Sequence, residues 1–343
     1  MRLIYIILLI LITSKIAFSE NLFETSKYIL KFDSNNISQI KEKKIDEIKI
    51  KSFKNILKKI LTNQNYRLLN SNDIKFVNKF ILNIKINNEK IINNNYYSEI
   101  RINFNIDLIF DYLINKKIKY IDHLPQKFLI IIFEQKEIKN YLLSKENNFY
   151  KYLINSKNES LNKIFLIPKL DYNDRYLFNK NDFINDAFNQ NNLLNEKYNT
   201  KYQVLIDSSI ESNFFVNKVY LFYENEKHLI YNNKTHKLNY EDFFTEISLK
   251  SLDKWKQINQ IDITVVNRLE CKININNYNE LSYVRNLIQS NRIVKSLSLK
   301  SIKLNENLYQ IIFFDNINHF INSLTKDRLL LEINDKNCYI KLI

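Results

Sequence analysis

The chain has 343 residues, a formal net charge of +14, two prolines, two cysteines and no glycine. That length supports two or three domains able to bury a real core without staples. The absence of glycine excludes the phosphate-cradling P-loop, the GxGxxG dinucleotide turn and the GxSxG nucleophile elbow, whose backbones must approach more closely than a side chain permits.

The first stretch, MRLIYIILLILITSKIAFSE, has Arg2, an apolar run from Leu3 to Ile12, and small residues Ala17 and Ser19 three and one positions before a cut after Ser19. This is the pattern of a secretory signal peptide over 1–19. The run is short for a bilayer span, which takes about 20 residues. Lys15, inside the region usually neutral, leaves an uncleaved anchor to the inner membrane as the alternative, and the membrane is otherwise not an expected partner. No cysteine follows the run to carry a lipid. The expected location is the periplasm.

A first α+β unit is expected over 20–124. Tyr28, Leu30 and Phe32 alternate as a strand, and Ile45, Ile48, Phe53, Ile56, Leu57, Ile60 and Leu61 recur at helical spacing. Asn36 and Gln39 suit a cap at the start of that helix. Strands follow over Ile81 to Ile86 and Ile100 to Phe104. The chain then changes rhythm, since Leu108, Ile109, Tyr112 and Leu113 fall three or four apart, with Asn105 or Asp107 as the cap.

A central α/β unit is expected over 125–260. KFLIIIF, bounded by Pro125 and Glu134, reads as a strand covered on both faces. A helix carrying Ile138, Tyr141, Leu142, Phe149, Tyr152 and Leu153 is expected next. IFLIPKL, a loop and a helix around Phe183 to Leu194 come after it. YQVLID reads as a second buried strand, and DSSIES as a turn between strands. FFVNKVYLFYENEKHLIYNN has the look of a hairpin, and a helix bearing Phe243, Phe244, Ile247, Leu252 and Trp255 closes the unit.

The third unit, 261–343, reads βαββαββ: RLECKINI, NELSYVRNLIQS, IVKSLSL, LYQIIFF, NINHFINSLT, RLLLEI and CYIKLI. The fold class is therefore α+β, three small units of mixed, mainly antiparallel sheets with helices packed on them.

Several segments together resemble an uncharacterised family of exported, signal-peptide-bearing Gram-negative proteins, a domain-of-unknown-function family. YYSEIRINFNIDLIFDYLINKKIKYID followed by LPQKFLIIIF is similar to its most recognisable segment. FLIPKLDYNDRYLF is similar to a stretch with a proline and two spaced aspartates, and Trp255 matches a tryptophan that closes a domain. The resemblance implies export and a layered architecture but no activity. Where relatives have glycine in turns, this chain has asparagine, which tolerates left-handed backbone.

Candidate chemistry is sparse. His123, His228, His236 and His319 show no helical i, i+4 pair fit for zinc, although His228 and His236 could approach across neighbouring strands; no metal and no cofactor are expected. Cys271 and Cys338 share strand faces with apolar residues; an oxidising compartment permits a bridge between them, and buried free thiols are the alternative. Asp171 and Asp174, in the loop LDYNDRY, could divide acid and base roles or cap the following helix. Lysines lie beside asparagines throughout, without the clustered footprint of a nucleic-acid interface, so no nucleic acid is expected.

These observations point to an exported envelope protein that acts as a non-catalytic binding or assembly module for another envelope protein. The alternatives are a periplasmic hydrolase using Asp171 and Asp174, and a binder of anionic lipid.

Overall fold

The computed structural model describes residues 25–69, 71–136, 138–178, 191–223, 226–274, 277–303, 306–334 and 337–343. The expected signal peptide and most of the helix expected around Phe183 to Leu194 lie outside them. The fold is α+β, built on three sheets with antiparallel pairing predominating. The chain divides into two compact units, one made of 1–123 with 260–343, the other of 124–259. The segments 20–124 and 261–343, read above as separate units, thus fall in one.

Unit 1 opens with β1 (Tyr28–Asp33) and the 24-residue α1 (Ile37–Ile60). The Asn36 side chain accepts from Gln39 N at 3.3 Å, which caps the helix, and donates to Gln39 Oε1 at 2.9 Å. Two short helices, α2 (Asn63–Tyr66) and α3 (Ile74–Asn78), lead to the hairpin β2 (Ile81–Ile92) and β3 (Asn95–Phe104). Its turn is Asn93–Asn94, with φ of 46° and 65°, the left-handed pair that a two-residue hairpin requires. The sheet order is β1-β3-β2. Tyr96, Ser98, Ile100 and Ile102 are fully buried on one face of β3, and α1 packs on this sheet through Phe53, whose ring lies tilted 5.6 Å from that of Phe104.

The only alanines are Ala17 and Ala187, both outside the described residues. Serine therefore supplies the small side chain where layers come close, as Ser52 of α1 and Ser98 of β3 do here. At Asn105 the chain turns from β3 into α4 (Ile106–Asn115), and the Asn105 side-chain Oδ1 accepts from Leu108 N at 3.2 Å.

Unit 2 begins with β4 (Phe128–Lys136), whose residues Phe128 to Glu134 are all buried. The helix expected from Ile138 does not start there. Lys139–Leu142 is a short strand, β5, Leu143 takes φ 47°, and Asn147 restarts the chain as the cap of α5 (Asn148–Asn155). Ile138 is 96% exposed, so it contributes nothing to an apolar face. Then come α6 (Glu159–Ile164), β6 (Phe165–Leu166), α7 (Tyr172–Leu177) and α8 (Asn191–Tyr198).

DSSIES is not a turn. β7 (Tyr202–Glu211) runs through most of it, and the reversal falls at Ser212–Asn213, φ 48° and 68°, before β8 (Phe214–Tyr223) and β9 (Glu226–Thr235). Polar residues misled the reading because Asp207 and Ser209 face away from the layer that buries Ser208. The sheet order is β5-β4-β7-β8-β9, with β4 and β7 parallel and β6 pairing the other side of β4. The helix α9 (Tyr240–Asn259) covers it with Phe243, Phe244, Ile247 and Trp255.

The C-terminal part of unit 1 runs β10 (Val266–Asn274), α10 (Tyr278–Ser290), β11 (Val294–Lys303), β12 (Glu306–Phe314), α11 (Ile317–Lys326), β13 (Leu329–Asn334) and β14 (Asn337–Leu342). This is the βαββαββ order, with strands arranged β11-β12-β10-β14-β13. An isolated β-bridge, Tyr120 with Ile261, pairs the two stretches of chain that form the unit.

Candidate functional site

A concavity lies in unit 1, a cleft of about 620 Å3. One wall is a face of α4, where Asp107, Phe110, Asp111 and Ile114 fall at the i, i+3, i+4, i+7 spacing that lines up side chains on a helix. The other is the end of α10 and the start of β11, with Asn291, Arg292, Val294 and Lys295, and the aromatic rings of Tyr120 and Phe314 also line the space.

Its electrostatics are two-signed. Arg292 Nη2 meets Asp107 Oδ1 at 2.6 Å, and its guanidinium lies 4.9 Å from the Phe110 ring centroid. Asp111 and Lys295 are exposed on opposite walls. Tyr120 is fully buried, its hydroxyl donates to Arg292 O at 3.3 Å, and burial pushes its pKa far above the ordinary phenol value. It therefore stays a neutral, fixed ring. An aromatic-lined recess with a cation and an anion on facing walls suits recognition by packing and charge complementarity.

A polar seam ties the two stretches of unit 1 beside this cleft. Lys119 pairs with Asp262, and Asp315 Oδ2 accepts from Asp262 N at 3.0 Å. His319 Nδ1 lies 2.7 Å from the same Asp315 oxygen. That hydrogen bond raises the His319 pKa above its usual value. Burial opposes ionisation of Asp315, but the hydrogen bonds from His319 and from backbone amides hold its carboxyl below the ordinary range. His123 sits between Asp122, at 2.6 Å, and Lys326, at 3.0 Å. Among the described residues no group of three or more histidine, cysteine or acidic side chains is arranged to hold a metal.

The other histidines stay apart. His228 is near the start of β9, and His236 follows its last residue and packs on Phe214. Burial lowers the His228 pKa beside Glu226. One is on β9 and the other just past its end, eight residues along the chain and roughly 26 Å apart at the rise of a strand, so they do not face each other across two strands.

Cys271 of β10 and Cys338 of β14 are directly paired in a parallel register and are disulfide-bonded, with Cα atoms 4.4 Å apart. Both lie on the buried face with Ile273 and Ile340.

Asp171 and Asp174 come together in unit 2, in distinct parts. Asp171 caps α7, its Oδ1 accepting from Asp174 N at 2.9 Å, and this hydrogen bond lowers its pKa. Asp174 is fully buried and its oxygens accept from Leu170 N at 2.8 Å, from Tyr198 OH at 2.8 and 2.9 Å, and from Lys197 Nζ at 2.6 Å. Burial and the Asp174 carboxylate push the Tyr198 hydroxyl up to about 12. A carboxylate has about four lone-pair sites. Asp174 has donors on both oxygens and fastens α8 to α7, which is the work of a clamp.

Trp255, 1% exposed and 6.5 Å from the Tyr202 ring, is a packing anchor. The residues that a sequence reading passes over are Glu134, Ser208 and Asn217, which form a buried polar row across β4, β7 and β8. No single one of them stands out by type or spacing, because only the strand register makes them neighbours. No protein-family model matches the chain, and no curated protein matches it either.

Proposed function

We propose that the protein is an exported envelope protein that acts by binding, as an interaction or assembly module, in keeping with its resemblance to an exported family without assigned activity. The observation that carries this reading is the cleft of unit 1, whose aromatic lining and facing charges, Asp111 on one wall and Lys295 on the other, offer a place to hold a segment of a partner protein. The bridge between Cys271 and Cys338 supports the export half of the reading, because such bonds persist in oxidising compartments and are rare in the cytosol.

A photo-crosslinking residue at Ile114, on the cleft wall, tests the proposal in intact cells. The expected result is one envelope protein captured in defined stoichiometry, with capture lost on Asp111→Lys and retained in Asp171→Asn. Capture that ignores the charge at position 111 contradicts the reading. The hydrolase alternative predicts the reverse, with phenotype lost in Asp171→Asn and untouched by Asp111→Lys.

A further inference from the structure

Strand β11 (Val294–Lys303) ends the five-stranded sheet, with β12 on one side of it and, among the described residues, no strand on the other. Of the strands described at a sheet edge, it is the one whose residues line the unit 1 cleft, through Val294 and Lys295. An edge strand presents unpaired backbone amides and carbonyls, so β11 leads a row of them out of that cleft. Lys295, Ser296 and all of 298–302 are exposed, which leaves the strand open to solvent.

Its two faces differ. Leu297 and Leu299 stand opposite Ile311 and Tyr309 of β12, on the face where α10 packs, while Ser296 and Ser298 stand opposite Ile312 and Gln310 on the open face. Leu299 and Ile302 are 46% and 73% exposed, an apolar shelf beside the free edge. The charge has one sign, since the strand reads VKSLSLKSIK, three lysines and no acid. Lys295 and Lys300 fall at the two irregularities of the β11 to β12 ladder, and bulges and lysines are the devices that stop an edge from pairing with its own kind. A second copy of this chain laid against β11 brings lysine toward lysine, and like charges across a strand pair are destabilising. A strand of opposite sign meets no such barrier. The other long edges, β2 and β9, carry both signs.

We propose that the partner segment held in the unit 1 cleft continues along β11 as an added strand, and that this part of it is extended, without proline, and alternates acidic with apolar residues. The proposal rests on the binding reading of the cleft and names the chemistry of its partner. Backbone hydrogen bonds to a free edge supply affinity, and alternate side chains supply selection. Here the apolar residues of the added strand lie beside Leu299 and Ile302, and its acids lie on the open face beside Lys300, whose charge already acts on Glu270 two strands away.

The mature chain and a seven-residue peptide of alternating glutamate and valine, blocked at both ends, test this by backbone amide exchange read in fragments spanning Val294–Lys303. The expected result is a saturable slowing of exchange there, weakened by salt, weakened about two- to fivefold by Lys300→Gln, and absent when lysine replaces glutamate in the peptide. N-methylation of two consecutive central amides blocks both edges of the peptide without touching its charge, and should weaken binding about tenfold or more. Equal binding of the N-methylated peptide overturns the proposal, because charge alone then holds it. So does slowing at Ile81–Ile92 or Glu226–Thr235 in place of β11, or no slowing at all. Failure of the added strand and failure of the cleft reading are distinguishable. Crosslinking from Ile114 that depends on Asp111, with β11 exchange unchanged by the peptide, keeps the cleft and overturns the added strand. Slowing in β11 that ignores Asp111→Lys, with no capture from Ile114, supports the added strand and removes the cleft.

Discussion

Left-handed backbone is where the loss of glycine is felt. Positive φ occurs at Asn88, Asn93, Asn94, Asn199 and Asn213, and also at Lys117, Leu143, Leu170, Ser212, Asp315 and Arg328. Asparagine bears such geometry cheaply, whereas a lysine or leucine pays roughly 1–2 kcal/mol for it. Lys117, φ 56°, ends α4, and the amide of Ile118 reaches back to Leu113 O at 2.9 Å. Lys117→Gly should therefore stabilise unit 1 by about 1 kcal/mol, read as a higher denaturant midpoint at unchanged m. His319 supplies a second test at this scale. Its pKa is raised above 6.5 in the fold by Asp315, so its stabilisation is fully present below pH 6.5 and is lost as pH rises through the folded value. Thermal scans across that window should show a decline in the parent protein that His319→Gln removes; an unchanged slope in the variant contradicts the assignment. The Asn36 and Asn105 caps were legible from sequence because caps are local. The buried Asn217 was not, because its burial depends on two other strands.

Elements were legible where apolar rhythm and punctuation agree, as at β3 into α4, and misread where they conflict. Ile138, Tyr141 and Leu142 keep helical spacing with Phe149, yet Leu143 and the Asn147 cap break the run, and a short edge strand forms instead. That strand leaves part of β4 uncovered. β6 pairs with β4 only at Phe128 and Leu129, and β5 only from Phe133 onward. The Tyr150 hydroxyl fills the gap, accepting from Ile132 N at 3.1 Å and donating to Ile130 O at 3.0 Å. Tyr150→Phe should cost about 1–3 kcal/mol, the penalty of an unpaired buried amide, with no change in secondary structure by circular dichroism. A cost below measurement would mean that water or backbone movement meets those groups. Asp171 and Asp174 illustrate the limit of a motif reading, since the spacing announced a capped helix but Lys197 and Tyr198, the partners of Asp174, lie in a different element.

At the scale of the molecule, sequence gave no sign that 1–123 and 260–343 form one unit around an intervening one, because the pairing of Tyr120 with Ile261 spans 140 residues of chain with no local signature. The bridge from Cys271 to Cys338 closes a loop of 67 residues. On the chain-entropy account such closure is worth about 4 kcal/mol, so the double variant Cys271→Ser, Cys338→Ser should unfold at a clearly lower denaturant concentration, and the parent protein should fall to the same midpoint under reductant. Export and that bond belong to one account, in which the chain leaves the cytoplasm, oxidises and binds. The most direct test is to fractionate cells producing the untagged protein and determine the N-terminus and thiol state of what is recovered. The account predicts a chain in the envelope fraction that begins at Glu20 and has no free thiol. A chain that begins at Met1, lies among cytosolic proteins and carries Cys271 and Cys338 reduced would contradict it.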